Sequence, residues 1–366
     1  MRQTPTRILN PTIYKGDDAM IILYVLPVCA IACGLICRKG GFRGVYCFIL
    51  SVLLSLFVFF FRGASFTTAK AAYNAAALLS PEELGSESFP VGLLFLAKPF
   101  SILNLGSDVF AVTVLTLISL GFGYFIYSFC NNPTVGAVTF IALGFPFIIT
   151  EDISLAIAVL IAGFGLKYTE KRQFFRCCGY MLLASCFSPS VLLLIPLYFL
   201  LLPDNPIIEW ILSMAAAALI FLPFKDKLFG FLNCSEMPKG AGLPIYFSAV
   251  IIVFAIIFTL MSKMIRLSGS KGYRFLGAII MGAALSAAAV LDGRLIYLFA
   301  TLTVPSVTVL SSKAVPIILT LLLKTFPENK RAAYITAVSV FSVMALILFT
   351  LALFSGTFTL PALSVT

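Results

Sequence analysis

Residues 44–61 read Gly44-Val-Tyr-Cys-Phe-Ile-Leu-Ser-Val-Leu-Leu-Ser-Leu-Phe-Val-Phe-Phe-Phe61, an uncharged run closed on one side by Arg43 and on the other by Arg62. A helix rises about 1.5 Å per residue and bilayer hydrocarbon is about 30 Å thick. An apolar run of this length with a cation at each end has the pattern of a helix that crosses a membrane. Working outward, the same pattern recurs at 20–37 before it, and at 108–129, 133–150, 153–166, 207–224, 243–262, 275–291 and 333–355 after it. Two stretches are interrupted. Residues 177–202 carry Ser188-Pro189-Ser190 in the middle and are split into two short helices there; 294–323 contain Pro305 and Pro316 and are left as one bent or broken span. In both, proline removes a helix hydrogen bond. The expected fold class is all-α: a polytopic transmembrane helical protein of about 11–12 spans at the usual length per span, with 1–366 as a single integral membrane domain.

Composition excludes a soluble fold. Of the 366 residues 61% are hydrophobic and 11% charged, and no water-soluble interior of this size hides that much apolar surface. The run 20–37 ends directly in Arg38-Lys39-Gly40-Gly41-Phe42-Arg43, with no polar mature segment after it. It reads as a retained anchor and not as a cleaved signal peptide.

Basic residues gather in four short loops: Arg38, Lys39 and Arg43; Lys167, Lys171, Arg172 and Arg176; Lys263, Arg266, Lys271 and Arg274; Lys324, Lys330 and Arg331. The helix order puts all four on one side, which the positive-inside rule makes cytoplasmic. The amino terminus then lies outside, as do Glu82, Glu83, Glu87, Glu151, Asp152 and Asp292, and the expected location is the cell membrane. The net charge of +10 is thus a topology signal, and no nucleic-acid partner is implied because a soluble basic face is missing.

The chain has no histidine and nine cysteines. A His–Ser triad, a His base and a His-ligated metal are therefore excluded. Cys29, Cys33 and Cys37 share one helix face, but buried Cys usually behaves as a small apolar residue. Neither a metal site, a cofactor nor a disulfide is read. The deep spans look nearly free of charge, with Glu209 the nearest exception.

The longest polar interval, 62–107, is an outer loop by this topology. Within it 65–79 is rich in helix formers and 91–104 mixes an apolar run with Lys98 and Pro99, so both read as helices in the membrane interface.

Three features resemble the EpsG-like exopolysaccharide polymerases, related in function to the O-antigen polymerase Wzy. One is the basic loop between the first two helices, followed by Phe-Phe-Phe-Arg62-Gly63. Another is the outer-loop pattern Glu87-Ser-Phe-Pro-Val-Gly-Leu-Leu-Phe-Leu96. The third covers 151–202: an outer polar step, a helix, a basic turn Lys-Tyr-Thr-Glu-Lys-Arg-Gln-Phe-Phe-Arg, then Met181-Leu-Leu-Ala-Ser-Cys-Phe-Ser188-Pro-Ser190 and an apolar run with Pro-Leu. The chain also departs from the family pattern. The family's usual His falls on Ser188, its Asp after the outer Arg has no counterpart near 64–70, and its Arg-Gln at the start of the fifth helix is replaced by Glu151-Asp152.

The resemblance implies cell-surface polysaccharide biosynthesis, with polymerisation of polyprenyl-diphosphate-linked oligosaccharide on the outer face. Membrane lipid and other polysaccharide-assembly proteins are its implied partners. In that chemistry an acceptor hydroxyl displaces a polyprenyl diphosphate, so cations must meet the leaving group while a carboxylate assists the hydroxyl. Arginine suits a diphosphate because its fork meets two oxygens at once. Arg62, Lys98 and Arg294 are the substrate-binding candidates, with Glu87 and Ser188 from the family pattern; Asp152, Glu151 and Asp292 are the candidate bases.

Each has a plain alternative. Arg62 and Lys98 could anchor helix ends by snorkelling. Asp292-Gly293-Arg294 could be a tight turn, Asp152 a helix cap, and Asp108 a cap for the third span. Ser188 and Ser190 could be satisfied by nearby carbonyls. Two other functions stay open: a flippase of lipid-linked oligosaccharide, which would show an inverted repeat and deep charges, and a non-catalytic subunit of an assembly complex.

Overall fold

The computed structural model describes residues 16–36, 42–61, 63–79, 89–170, 173–193, 211, 215, 249–260, 279–280, 283, 293–325 and 330–354. Among the described residues every regular element is helical: α1 Gly16–Ile36, α2 Arg43–Phe60, α3 Ala64–Leu78, α4 Val91–Ile102, α5 Ser107–Phe129, α6 Pro133–Ala142, α7 Phe145–Glu151, α8 Ile153–Glu170 and α9 Phe174–Ser185. A 3-10 turn, Pro189–Leu193, follows. Then come α10 Ala249–Leu260, α11 Gly293–Thr325 and α12 Lys330–Phe354. The spans expected at 207–224 and 275–291 fall almost wholly outside the described residues. Two of the described helices, α2 and α5, are both long and apolar enough to cross a bilayer by length and composition.

Side-chain contacts fix which helix ends lie together. At one end Arg43 donates to the carbonyls of Tyr127 and Cys130, and Asn132 Nδ2 donates to the Tyr334 hydroxyl at 2.9 Å. Arg176 lies 5.8 Å from the Tyr168 ring centroid there, across the α8–α9 turn. At the other end Lys70 pairs with Asp108 at 2.8 Å, and the Tyr24 hydroxyl bonds Thr350 Oγ1 at 3.0 Å. Three of the four basic loops adjoin the first set of contacts, through Arg43, the 167–176 turn and the start of α12.

The core lies where α5, α6, α7 and α8 meet. Phe122, Phe125, Phe140 and Phe145 are fully buried, with ring centroids 4.6 Å apart for Phe122–Phe140 and 4.3 Å for Phe140–Phe145. Tilted and edge-to-face rings at these distances add about 0.5–1.5 kcal/mol per pair beyond area burial. On α2 the buried positions Tyr46, Cys47, Leu50, Leu54, Phe57 and Val58 form one stripe. The opposite face is as apolar, with Phe48, Leu56, Phe59 and Phe60 exposed.

One expectation changes and another is narrowed. Residues 133–150 are not one span: α6 stops at Ala142 and α7 begins at Phe145. Gly144 between them has φ of 82°, a left-handed conformation that interrupts a helix and that glycine adopts without steric cost. Pro146, in the first turn of α7, has no N–H to continue the ladder. By contrast 294–323 is one continuous helix, with Pro305 and Pro316 inside α11. The break expected around 188–190 is present, between α9 and the 3-10 turn, and the loop segments expected to be helical at 65–79 and 91–104 are α3 and α4.

Candidate functional site

Asp152 joins two helices. Its backbone is extended (φ −137°, ψ 95°), its N–H donates to Ile148 O at 2.9 Å, and its carbonyl accepts from Ala156 at 3.0 Å. Its Oδ1 accepts from Leu155 N at 2.9 Å. Asp152 is therefore the N-cap of α8, where a carboxylate also meets the positive end of the helix dipole.

The cap accounts for only part of the carboxylate. The side chain keeps accessible surface, yet withdrawal from bulk water raises its carboxyl above the usual aspartate range, against the Leu155 and Ser154 N–H groups that pull it down. Glu151, the half-buried last residue of α7, is raised by the same desolvation.

The start of α3 comes to this junction. Gly63 lies against Thr150, so that a Cβ built on it would be 2.3 Å from the Thr150 carbonyl oxygen. Residues 62 and 151 are thus each one position from a backbone contact that joins α3 to α7. Arg62 itself lies outside the described residues, as do Glu87 and Asp292. Arg294 falls in the first turn of α11.

A second junction involves Ser188. The Gly92 N–H, at the start of α4, donates to the Cys186 carbonyl at 2.8 Å, at the break after α9. Ser188 Oγ and Ser190 Oγ are 2.6 Å apart, a hydrogen bond in which one hydroxyl donates and the other accepts within the break. Ser188 is half-buried and Ser190 buried.

Lys98 has a different geometry. Its Nζ donates to Ala76 O at 2.8 Å and Leu79 O at 2.6 Å, carbonyls that the end of α3 leaves without helical partners. It is a C-terminal cap from α4, and the helix rise puts it about 20 Å along α3 from Gly63. The structure therefore separates Lys98 from Glu151 and Asp152. Asp108 also differs from its expected role: Gly106 is the N-cap of α5, and Asp108 stands in the first turn and pairs with Lys70.

Sequence reasoning missed the Gly63–Thr150 contact, for which a lone glycine after arginine gives no signal. It also missed Lys313, half-buried in α11 beside buried Ser311 and Ser312. The prolines at 305 and 316 drew attention away from this cation, which is an exception to a deep region otherwise almost without charge.

A sequence profile described as the EpsG family matches residues 44–237, which include α2 to α9, both junctions, and every candidate except Asp292 and Arg294. No curated protein and no solved structure matches the chain. Because the match covers more than half of the 366 residues, the chain belongs to the EpsG family, and with it to the membrane-associated proteins of polysaccharide biosynthesis.

Proposed function

We propose that the chain is a multi-pass membrane protein that polymerises lipid-linked oligosaccharide repeat units on the outer face of the cell membrane, with its amino terminus outside. The observation that carries this reading is the accessible, desolvated Asp152 carboxylate beside the Gly63–Thr150 contact. Support for the topology comes from three basic loops adjoining one end of the bundle, while Asp152 and the Lys70–Asp108 pair belong to helix ends of the opposite sense. Apolar residues on both faces of α2 support lipid on its outer side.

In the proposed reaction a sugar hydroxyl of one repeat unit attacks the anomeric carbon of another. The new C–O bond forms as the bond to the diphosphate breaks. The hydroxyl proton passes to Asp152 or Glu151, and the polyprenyl diphosphate departs with the bonding pair, its charge met by Arg62. A carboxyl with a raised pKa is the stronger base once ionised. It needs no metal ligand from this chain.

The test is Asp152→Asn, because asparagine caps a helix about as well as aspartate but cannot take up the proton. Polymer length and lipid-linked intermediates would be measured in a deletion host carrying each variant. Loss of long polymer, with single repeat units accumulating outside at normal protein levels, supports the reading. Wild-type polymer from Asp152→Asn sinks the assignment of Asp152, and unchanged polymer in the deletion itself sinks the polymerase. Intermediates trapped on the cytoplasmic face would point to the flippase.

A further inference from the structure

A groove of about 430 Å³ runs along the outward faces of α2 and α5, with Phe66 of α3 closing one side. It extends on α2 from Phe48 to Phe59, about 16 Å at the helical rise and close to half of a bilayer's hydrocarbon thickness. Phe59 is one residue from the end of α2 that leads to Gly63, so the groove begins at the same end of the bundle as Asp152 and reaches roughly to mid-depth.

Its lining suits hydrocarbon and not sugar. Eight of the ten lining residues are apolar, and the remaining two, Ser55 and Thr116, already direct their hydroxyl protons to their own helices. Ser55 Oγ donates to Ser51 O at 2.9 Å and Thr116 Oγ1 to Val112 O at 2.8 Å. A saccharide here would leave its hydroxyls unpaired at a cost of about 1–3 kcal/mol each. A chain of methyl and methylene groups would lose nothing.

At the Phe66 end of the groove stands an ion pair, so that a phosphate would meet the Lys70 cation with the Asp108 carboxylate beside it. Lys70 Nζ lies 5.6 Å from the Phe66 ring centroid and meets Asp108 at 2.8 Å; an ammonium has three donors, and this contact uses one. Phe66 is also the link to the reaction site, since it stands three residues after Gly63, which touches Thr150. An apolar chain lying in the groove with its head at the Phe66 end would therefore hold a phosphate beside Lys70, seven residues or about 10 Å along α3 from Gly63.

On the polymerase reading given above, we infer that this groove binds the polyprenyl chain of the lipid-linked oligosaccharide, with Phe66 as its wall and Lys70 at the phosphate end. The substrate is then positioned by its tail, and the sugar is left to reach Asp152.

The inference is tested by binding, which keeps it apart from polymer formation. Purified full-length protein in nanodiscs would be labelled with a photoreactive polyprenyl phosphate, in competition with unlabelled polyprenyl phosphate or with phosphatidylglycerol. Ser55→Trp and Thr116→Trp fill the groove from opposite walls, and Leu117→Trp, on the neighbouring exposed face of α5, is the control. The expected result is labelling at α2 and α5 that polyprenyl phosphate displaces and phosphatidylglycerol does not, reduced at least tenfold in either filled variant and unchanged in the control. Two filled variants guard against one failing to fold, which size-exclusion chromatography would reveal. Equal displacement by phosphatidylglycerol would mean an ordinary lipid site and would overturn the inference, as would wild-type labelling in both folded, filled variants. Selective labelling together with normal polymer in Asp152→Asn would support the groove while removing the catalytic assignment.

Discussion

A Cβ on Gly63 would lie 2.3 Å from the carbonyl oxygen of Thr150 and 3.1 Å from the Thr150 Cβ. The first neighbour is backbone and cannot rotate away. Gly63→Ala should force α3 and α7 apart, with a cost of about 1–3 kcal/mol typical of overpacking. The backbone at Gly63 (φ −93°) is open to any residue, so the penalty is contact alone. Polymer should shorten in this variant even though no candidate acid or base is altered. A wild-type melting midpoint and polymer length for Gly63→Ala would show that the α3–α7 approach is looser than described.

The raised Asp152 carboxyl sets a direction for pH dependence. A base must be ionised, so polymerisation should fall as pH drops through a pKa above the ordinary aspartate value of about 3.9, and Asp152→Asn should remove that limb along with most of the rate. Stability runs in the opposite sense. Folding favours the protonated form, so the contribution is full below the unfolded pKa and is lost as pH rises through the folded one. Thermal midpoints of the wild type relative to Asp152→Asn should therefore decline over that window. A difference independent of pH would mean that the carboxyl titrates as it would in water.

Lys98→Met should unfasten the end of α3. It removes two charge-assisted hydrogen bonds, to Ala76 O and Leu79 O, and a bond to a charged group contributes about 1.5–3 kcal/mol. Amide hydrogen exchange at 75–79 should accelerate at least tenfold, while exchange at the Thr150–Asp152 junction stays unchanged. If exchange at 75–79 is unaltered and polymer is lost, Lys98 contacts substrate and not the helix end.

The limits of the sequence are visible in these residues. Spans at 44–61 and 108–129 were legible to within one residue of α2 and α5, because each apolar run ends abruptly at polar residues, Arg43 and Arg62 for the first and Asp108 and Asn131-Asn132 for the second. The Ser188-Pro189-Ser190 break was legible for the same reason, since its chemistry is local. Gly144 was not: Gly-Phe-Pro inside an apolar run has the composition of a span, and only the φ of 82° reveals two helices. Asp152 could be named both as a cap and as a base, and the structure supplies the cap bond. Gly63 could not be named at all, because its meaning lies in Thr150, far away in the chain. Contacts of that separation leave no periodicity to read.

Breaking the Lys70–Asp108 pair should barely affect stability. The two side chains are 38% and 68% exposed, and exposed pairs typically couple by about 0.2–1 kcal/mol. A double-mutant cycle with Lys70→Gln and Asp108→Asn, read from melting midpoints in detergent, should give a coupling under about 1 kcal/mol that shrinks further in 0.5 M salt, where the Debye length is a few ångströms. A coupling above about 2 kcal/mol that resists salt would mean that lipid headgroups shield the pair from water. The small expected value has a practical consequence for the groove. If Lys70→Gln leaves the fold intact, any loss of polyprenyl phosphate labelling in that variant reports on the ligand's phosphate, because the helix packing around Phe66 will not have changed.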